Sequence, residues 1–195
     1  MNKIIKSNGF INYLLNLLDK LSIDDVEDEE INSITDIVLV KNDKDDDYNF
    51  IDLEMFPNLK ELVLINFKID NFETNVLNRC KSLRRVEFVD CNIVSKSRLL
   101  NENIIDLSID NCRINNIYFS KTKNLKIIKV KNIKLFDAKK IVRLINLEEL
   151  RINDTRIKSS KYLSSIVKLK FLNLTGSKYD KDLEKSLSNN ILFEK

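Results

Sequence analysis

The chain has 195 residues, 43% hydrophobic and 32% charged, with a formal net charge of +3. That is enough apolar material for one folded domain and too much for a disordered segment. With no His, 2 Gly and 1 Pro, imidazole chemistry and histidine metal ligands are out, and Gly-rich phosphate loops are disfavoured.

Near the N-terminus, Phe10, Leu14, Leu17, Leu18 and Leu21 recur at the spacing of one helix face. Asn12 and Asn16 interrupt the apolar run and Asp19-Lys20 close it, so an amphipathic helix is expected, not a signal peptide. No window approaches the roughly 18 to 20 apolar residues of a membrane span. Asp24-Asp25-Val26-Glu27-Asp28-Glu29-Glu30 follows as a solvated linker or helix start. Residues 1–33 therefore read as an N-terminal helical cap with an acidic linker. The charge is unevenly spread: residues 1–55 carry 14 acidic and 5 basic side chains, a net of −9, and residues 56–195 carry a net of +12.

Ile34 to Val40 alternates like a strand. After it, Asp43-x-Asp45-x-Asp47 with Asn49 and Glu54 has the spacing of a calcium loop. The sharp turn of such a loop needs Gly at its sixth position, and Tyr48 stands there. The segment reads as an acidic surface loop, with calcium binding as its alternative.

A repeat then takes over. Leu59-x-x-Leu62-x-Leu64-x-x-Phe67-x-Ile69 recurs from Leu83, Ile104, Leu125, Leu147 and Leu169, at spacings of 24, 21, 21, 22 and 22 residues. The first, fourth, sixth and eleventh positions are aliphatic or Phe in every unit, except for Tyr179 at the last. An eroded first unit is visible at Ile34-x-x-Ile37-x-Leu39-x-x-Asn42.

The pattern resembles the leucine-rich repeat family, in its short form with units of 21 to 24 residues. The resemblance implies an α/β solenoid: a curved parallel sheet on the concave side, short helices and turns on the convex side, and caps at both ends. It divides the chain into a cap over 1–33, a solenoid over 34–180 and a C-terminal cap over 181–195. The solenoid comprises the eroded unit over 34–58 and six units from residue 59. The return segments at 72–80, 138–145 and 161–167 are long enough for one or two helical turns, whereas 115–124 is too polar for more than an irregular turn. Leu183, Leu187 and Ile191, four residues apart, predict a helix at the C-terminal edge.

The ninth position holds Phe67, Cys91, Cys112, Ile133, Thr155 and Ser177. In the family an inward Asn or Cys at this position bonds the backbone in a ladder, which Phe67 and Ile133 are expected to break. Cys91 and Cys112 are read as buried spine residues. With Cys80 they make an odd count without a disulfide framework, which points to reduced thiols and a cytoplasmic setting, or a host-cell cytoplasm. Asn, Ile and Lys occur 25 times each and Ala once, at Ala138, the usage of an AT-rich protist, bacterial or large-DNA-virus genome.

The resemblance places the third, fifth, seventh and eighth positions on the concave side. Val38, Val40, Val63, Ile65 and Val89 then make an apolar patch, followed by a charged strip of Asp110, Lys129, Lys131 and Arg151. The patch is either a contact surface or a bed for the N-terminal segment or the 41–58 loop. The tenth position forms a basic rim of Lys68, Arg113, Lys134, Arg156 and Lys178, with Asn92 between the first two. Its plain reading is a solvent column in a Lys-rich chain; its functional reading is a surface for an anionic partner. No catalytic set and no cofactor site emerges. The expectation is a monomeric, non-enzymatic module that binds a protein partner through the concave face. The alternatives are nucleic acid or anionic lipid on the basic rim, or a ubiquitin-ligase-type substrate adaptor, for which residues 1–55 show no F-box.

Overall fold

The structure is a computed structural model that describes residues 5–42, 47–94, 97–98, 101–114, 117–118 and 122–195. Its main feature is one sheet of eight parallel strands whose spatial order is their order in the chain. The strands are β1 (Asp36–Val40), β2 (Glu61–Ile65), β3 (Arg85–Val89), β4 (Asp106–Asp110), β5 (Ile127–Lys131), β6 (Glu149–Asn153), β7 (Phe171–Asn173) and β8 (Leu192–Glu194). From β1 to β6 each strand spans the third to seventh positions of its unit, and the units stack in register: Leu62 lies between Ile37 and Val86, and Ile128 between Leu107 and Leu150.

Alternation along a strand sends the fourth and sixth positions to one face. Those side chains, Ile37 and Leu39 through Ile152, Leu172 and Leu174, are all buried and form one continuous core. Covering them are the return segments. These are α3 (Asn71–Arg79), which buries Val76 and Leu77, and 3-10 turns at Ala138–Lys140 and Ser160–Ser165, which bury Ala138 and Leu163. The sole alanine is thus fully buried in a return segment. Among the described residues, no helix is long and apolar enough to cross a membrane.

Three sets of hydrogen bonds join neighbouring units. In three units the Asn before the first position donates to the preceding unit: Asn58 Nδ2 to Asn32 O at 2.8 Å, Asn124 Nδ2 to Glu102 O at 2.8 Å and Asn146 Nδ2 to Lys123 O at 2.7 Å. The eighth position is left-handed in every unit from residue 59: Asn66 (φ 64°), Asp90 (53°), Asn111 (50°), Asn132 (53°), Asp154 (50°) and Gly176 (72°). Asn, Asp and Gly are the residues that tolerate this conformation. From Asn66 to Asp154 each of their N–H groups donates to the seventh-position carbonyl of the next unit, at 3.0 to 3.2 Å. At Gly176 a Cβ would also lie 2.1 Å from Asp154 Oδ1, so glycine is required there twice over.

The third ladder runs through the ninth position. Cys91 N donates to Cys112 Sγ at 3.3 Å, while the two thiols donate to Leu64 O (3.2 Å) and Phe88 O (3.4 Å). Ile133 N donates to Thr155 Oγ1 and Thr155 N to Ser177 Oγ, both at 3.1 Å. Ile133 has no side-chain acceptor to offer Cys112, so the ladder comes in two runs, as expected from the sequence. Phe67 leaves the ladder for another purpose: its ring packs 5.5 Å from both Tyr48 and Phe50. Tyr48 in turn meets Phe10 edge-on at 5.4 Å, which anchors the N-terminal helix on the first units.

That helix, α1 (Asn8–Leu18), precedes the short α2 (Asp28–Ser33) and is held by one buried carboxylate. Asp52, 1% exposed, accepts Lys6 N–H (2.9 Å), Ser7 N–H (3.0 Å) and Ser7 Oγ–H (2.7 Å). A negative charge at the first turn also suits the helix dipole. Gly9 closes against the same loop: a Cβ there would come within 2.8 Å of Asp47 O. The Tyr13 phenol is pushed up by burial, with the Val38 backbone working against it.

Three sequence expectations need correction. The N-terminal stripe does not reach Leu21, because Asp19 turns left-handed (φ 53°) and ends α1; Leu17 and Leu21 are exposed. Leu135 does not take the eleventh core position: it is 47% exposed and Phe136, 4% exposed, replaces it, pairing with Ile157. One extra residue has slipped into that unit's turn. The segment over 181–195 is not a helical cap throughout. After α4 (Asp182–Ser186) the chain forms β8, in register with β7, and so continues the solenoid.

Two substitutions test this account. Asn132→Ala is expected to cost about 1 to 2 kcal/mol in urea denaturation, and Asn132→Gly to stay within about 0.5 kcal/mol of the parent. Asp52→Ala, which leaves buried donors unpaired, is expected to cost roughly 3 kcal/mol and lower Tm by about 6 to 12 °C.

Candidate binding surfaces

The strand positions that do not enter the core lie together on the open face of the sheet. Along the fifth position, Val38, Val63, Glu87, Ser108, Lys129, Arg151 and Asn173 are neighbours in register. Along the seventh, Val40, Ile65, Val89, Asp110, Lys131 and Asn153 follow one another. The nine residues singled out on this face from the sequence are therefore one surface. Val38 is 49% and Val40 39% exposed, while Val63, Ile65 and Val89 are half-buried beside them.

The charged half of the face is largely matched within itself. Arg85 lies between Glu61 (3.3 Å) and Asp106 (3.9 Å), and Lys129 reaches the same Asp106 oxygen at 3.1 Å. Lys131 faces Asp110 at 4.0 Å, and Arg151 bonds Glu149 at 2.6 Å while its guanidinium lies 4.8 Å from the Phe171 ring. Each pair is partly solvated and contributes well under about 1 kcal/mol. Their effect is on pattern: opposite charges sit on the same or adjacent strands, so this half is polar with little net field.

The rim is different. Lys68, Asn92 and Arg113 are aligned by a small three-stranded ladder, and Arg156 pairs with Lys178. All five basic residues are exposed, and none makes an ion pair with another described residue. Two adjoining grooves of about 870 and 700 Å³ run along this edge and share Ile133 and Lys134. Arg113 and Lys134 line the first with Leu135; Lys134, Arg156 and Lys178 line the second. Sequence periodicity missed Leu135 as a groove residue because it places it in the core.

Of the proposed calcium loop, Asp43 and Asp45 lie outside the described residues. Asp47 uses its carbonyl on Gly9 N–H (3.1 Å), and Glu54 pairs with Arg79, with Nε at 2.8 Å. Among the described residues, no group of three His, Cys, Asp or Glu is placed to hold a metal. The three thiols are unpaired and buried. Burial first, then Glu54, pushes Cys80 up to about 11, with Arg79 working against them. Cys112 is pushed up by the hydrogen bond shared with Cys91 and by burial.

No protein-family model and no curated protein sequence matches the chain. Solved structures do. Internalin C2 from Listeria monocytogenes superposes with a TM-score of 0.67 at 17% identity, over 96% of this chain and 82% of that one. InlP of Listeria monocytogenes gives 0.63 at 14% identity, over 87% and 51%. A leucine-rich repeat protein of Leptospira interrogans gives 0.55 at 17% identity, over 74% and 39%. At such identities the likeness is one of fold.

Thiol chemistry offers a check on the burial of Cys80. At pH 8 a thiol held near 11 has on the order of a hundredfold less thiolate than a free one. Cys80 in the native protein is expected to react with a disulfide-exchange reagent at least about a hundredfold more slowly than after denaturation, read by absorbance.

Proposed function

We propose that this leucine-rich repeat solenoid is a non-catalytic protein-interaction module whose contact surface is the open, concave face of its sheet. The observation that carries the reading is the apolar patch at the first three strands. Val38 and Val40 stand exposed there, next to Val63, Ile65 and Val89, on a face where the strand pattern otherwise places polar side chains. Contiguous exposed apolar surface of this kind marks contact sites. The patch supplies the desolvation energy of binding. Asp110, Lys129, Lys131 and Arg151, on the same face, supply orientation and selectivity, since charged pairs tune partner choice more than affinity. Unpaired thiols suit a reducing compartment, so the cytoplasm, of the producing cell or of a host, is where the module works on this reading.

Replacing Val38 and Val40 with Thr keeps the β-branched shape that the strand favours and removes apolar surface. The double variant is expected to melt within about 2 °C of the parent. Its affinity for partners recovered by affinity purification from the native cell is expected to fall about tenfold or more. Undiminished capture would rule the concave patch out as the contact surface.

A further inference from the structure

We infer that the basic rim is a second, independent docking site, and that its occupant is an acidic protein segment carrying an aliphatic side chain. Four observations converge on it. Lys68, Arg113, Lys134, Arg156 and Lys178 are exposed and unmatched by described acidic residues, whereas the cations of the open face are matched by neighbouring carboxylates. Adjacent units stack at roughly 4.8 Å, so this is a column of like charge with an unfavourable self-energy that an anionic occupant relieves. The column borders a continuous pair of grooves instead of a flat surface. Leu135, extruded from the core by the extra residue in its unit, stands 47% exposed in that groove.

These features favour a protein segment over nucleic acid. The grooves are not uniformly basic: the left-handed residues Asp90, Asn111, Asn132 and Asp154 line them together with the cations. A phosphate backbone, charged along its whole length, would meet Asp90 and Asp154 at close quarters. A peptide can present its carboxylates to the cations and amide or hydroxyl groups to the Asp and Asn residues of the lining. Leu135 adds an apolar contact for an aliphatic side chain. The site is separate from the concave patch, so neither reading depends on the other.

The test is selection of a phage-displayed random 16-residue peptide library on the full chain, with counter-selection on the variant Arg113→Gln, Lys134→Gln, Arg156→Gln, Lys178→Gln. Affinities of the enriched peptides are then read by fluorescence polarisation. The expected result is enrichment of peptides with several carboxylates and at least one Leu, Ile or Val. Their affinity is expected to drop about tenfold or more in the quadruple variant and as the salt concentration rises. A several-fold drop is expected for Leu135→Ser, and no change for Val38→Thr with Val40→Thr. Circular-dichroism melts of each variant establish that it is folded. The proposal is overturned if no peptide is enriched, if the enriched peptides lack acid, or if Leu135→Ser has no effect. A 20-nucleotide oligouridine that binds more tightly than the best peptide overturns it too, in favour of nucleic acid.

Discussion

Each coil of the solenoid leaves the sheet through one residue in the left-handed conformation, and the rest of the stack follows from that turn. From Asn66 to Asp154 the turn directs an N–H toward the last strand carbonyl of the following unit, so every unit is completed by the next. The turn also fixes where a strand ends, which fixes register, which puts the fourth and sixth positions in the core. Because the side-chain period of a strand is two, a slip by one residue would exchange core and open face. Repetition of one strained geometry with Asn, Asp or Gly makes that slip costly.

Much of this was legible in the sequence. The spacing of Leu, Ile and Val disclosed the strands, their burial and the face each residue occupies. The column of Asn, Asp and Gly at the eighth position, and the asparagines before Leu59, Leu125 and Leu147, took their meaning only from the structure. Both are signals of backbone chemistry, which a hydrophobic pattern does not contain. The extrusion of Leu135 was hidden because a one-residue insertion leaves two adjacent apolar candidates, Leu135 and Phe136, for one core site. The C-terminal strand was hidden because Leu183, Leu187 and Ile191 fit a helix face. The run Ser186-Leu187-Ser188-Asn189-Asn190 lacks the propensity to continue one. Charge matching on the open face depends on residues that lie about one unit apart in sequence, such as Arg85 with Asp106, and only the stacked register brings them together.

The two surfaces differ in how they treat charge. Across the open face, cation and anion sit on the same or adjacent strands and the field cancels locally. Along the rim the same stacking places like charges next to one another, and the field adds. One architectural rule, identical positions brought side by side, yields both outcomes, depending on whether the column is mixed or uniform.

The Asp52 clamp has an effect well beyond helix anchoring. It fixes the start of α1 to the first units, so the acidic excess of the described N-terminal residues lies toward one end and the basic excess of the later described units is carried along the stack. The molecule is therefore a permanent electric dipole lying along the stacking direction. In a charged neighbourhood it experiences a torque before any contact forms, so it approaches an anionic surface body first and a cationic one head first. Salt weakens that alignment once the screening length, about 8 Å at physiological ionic strength, becomes shorter than the solenoid.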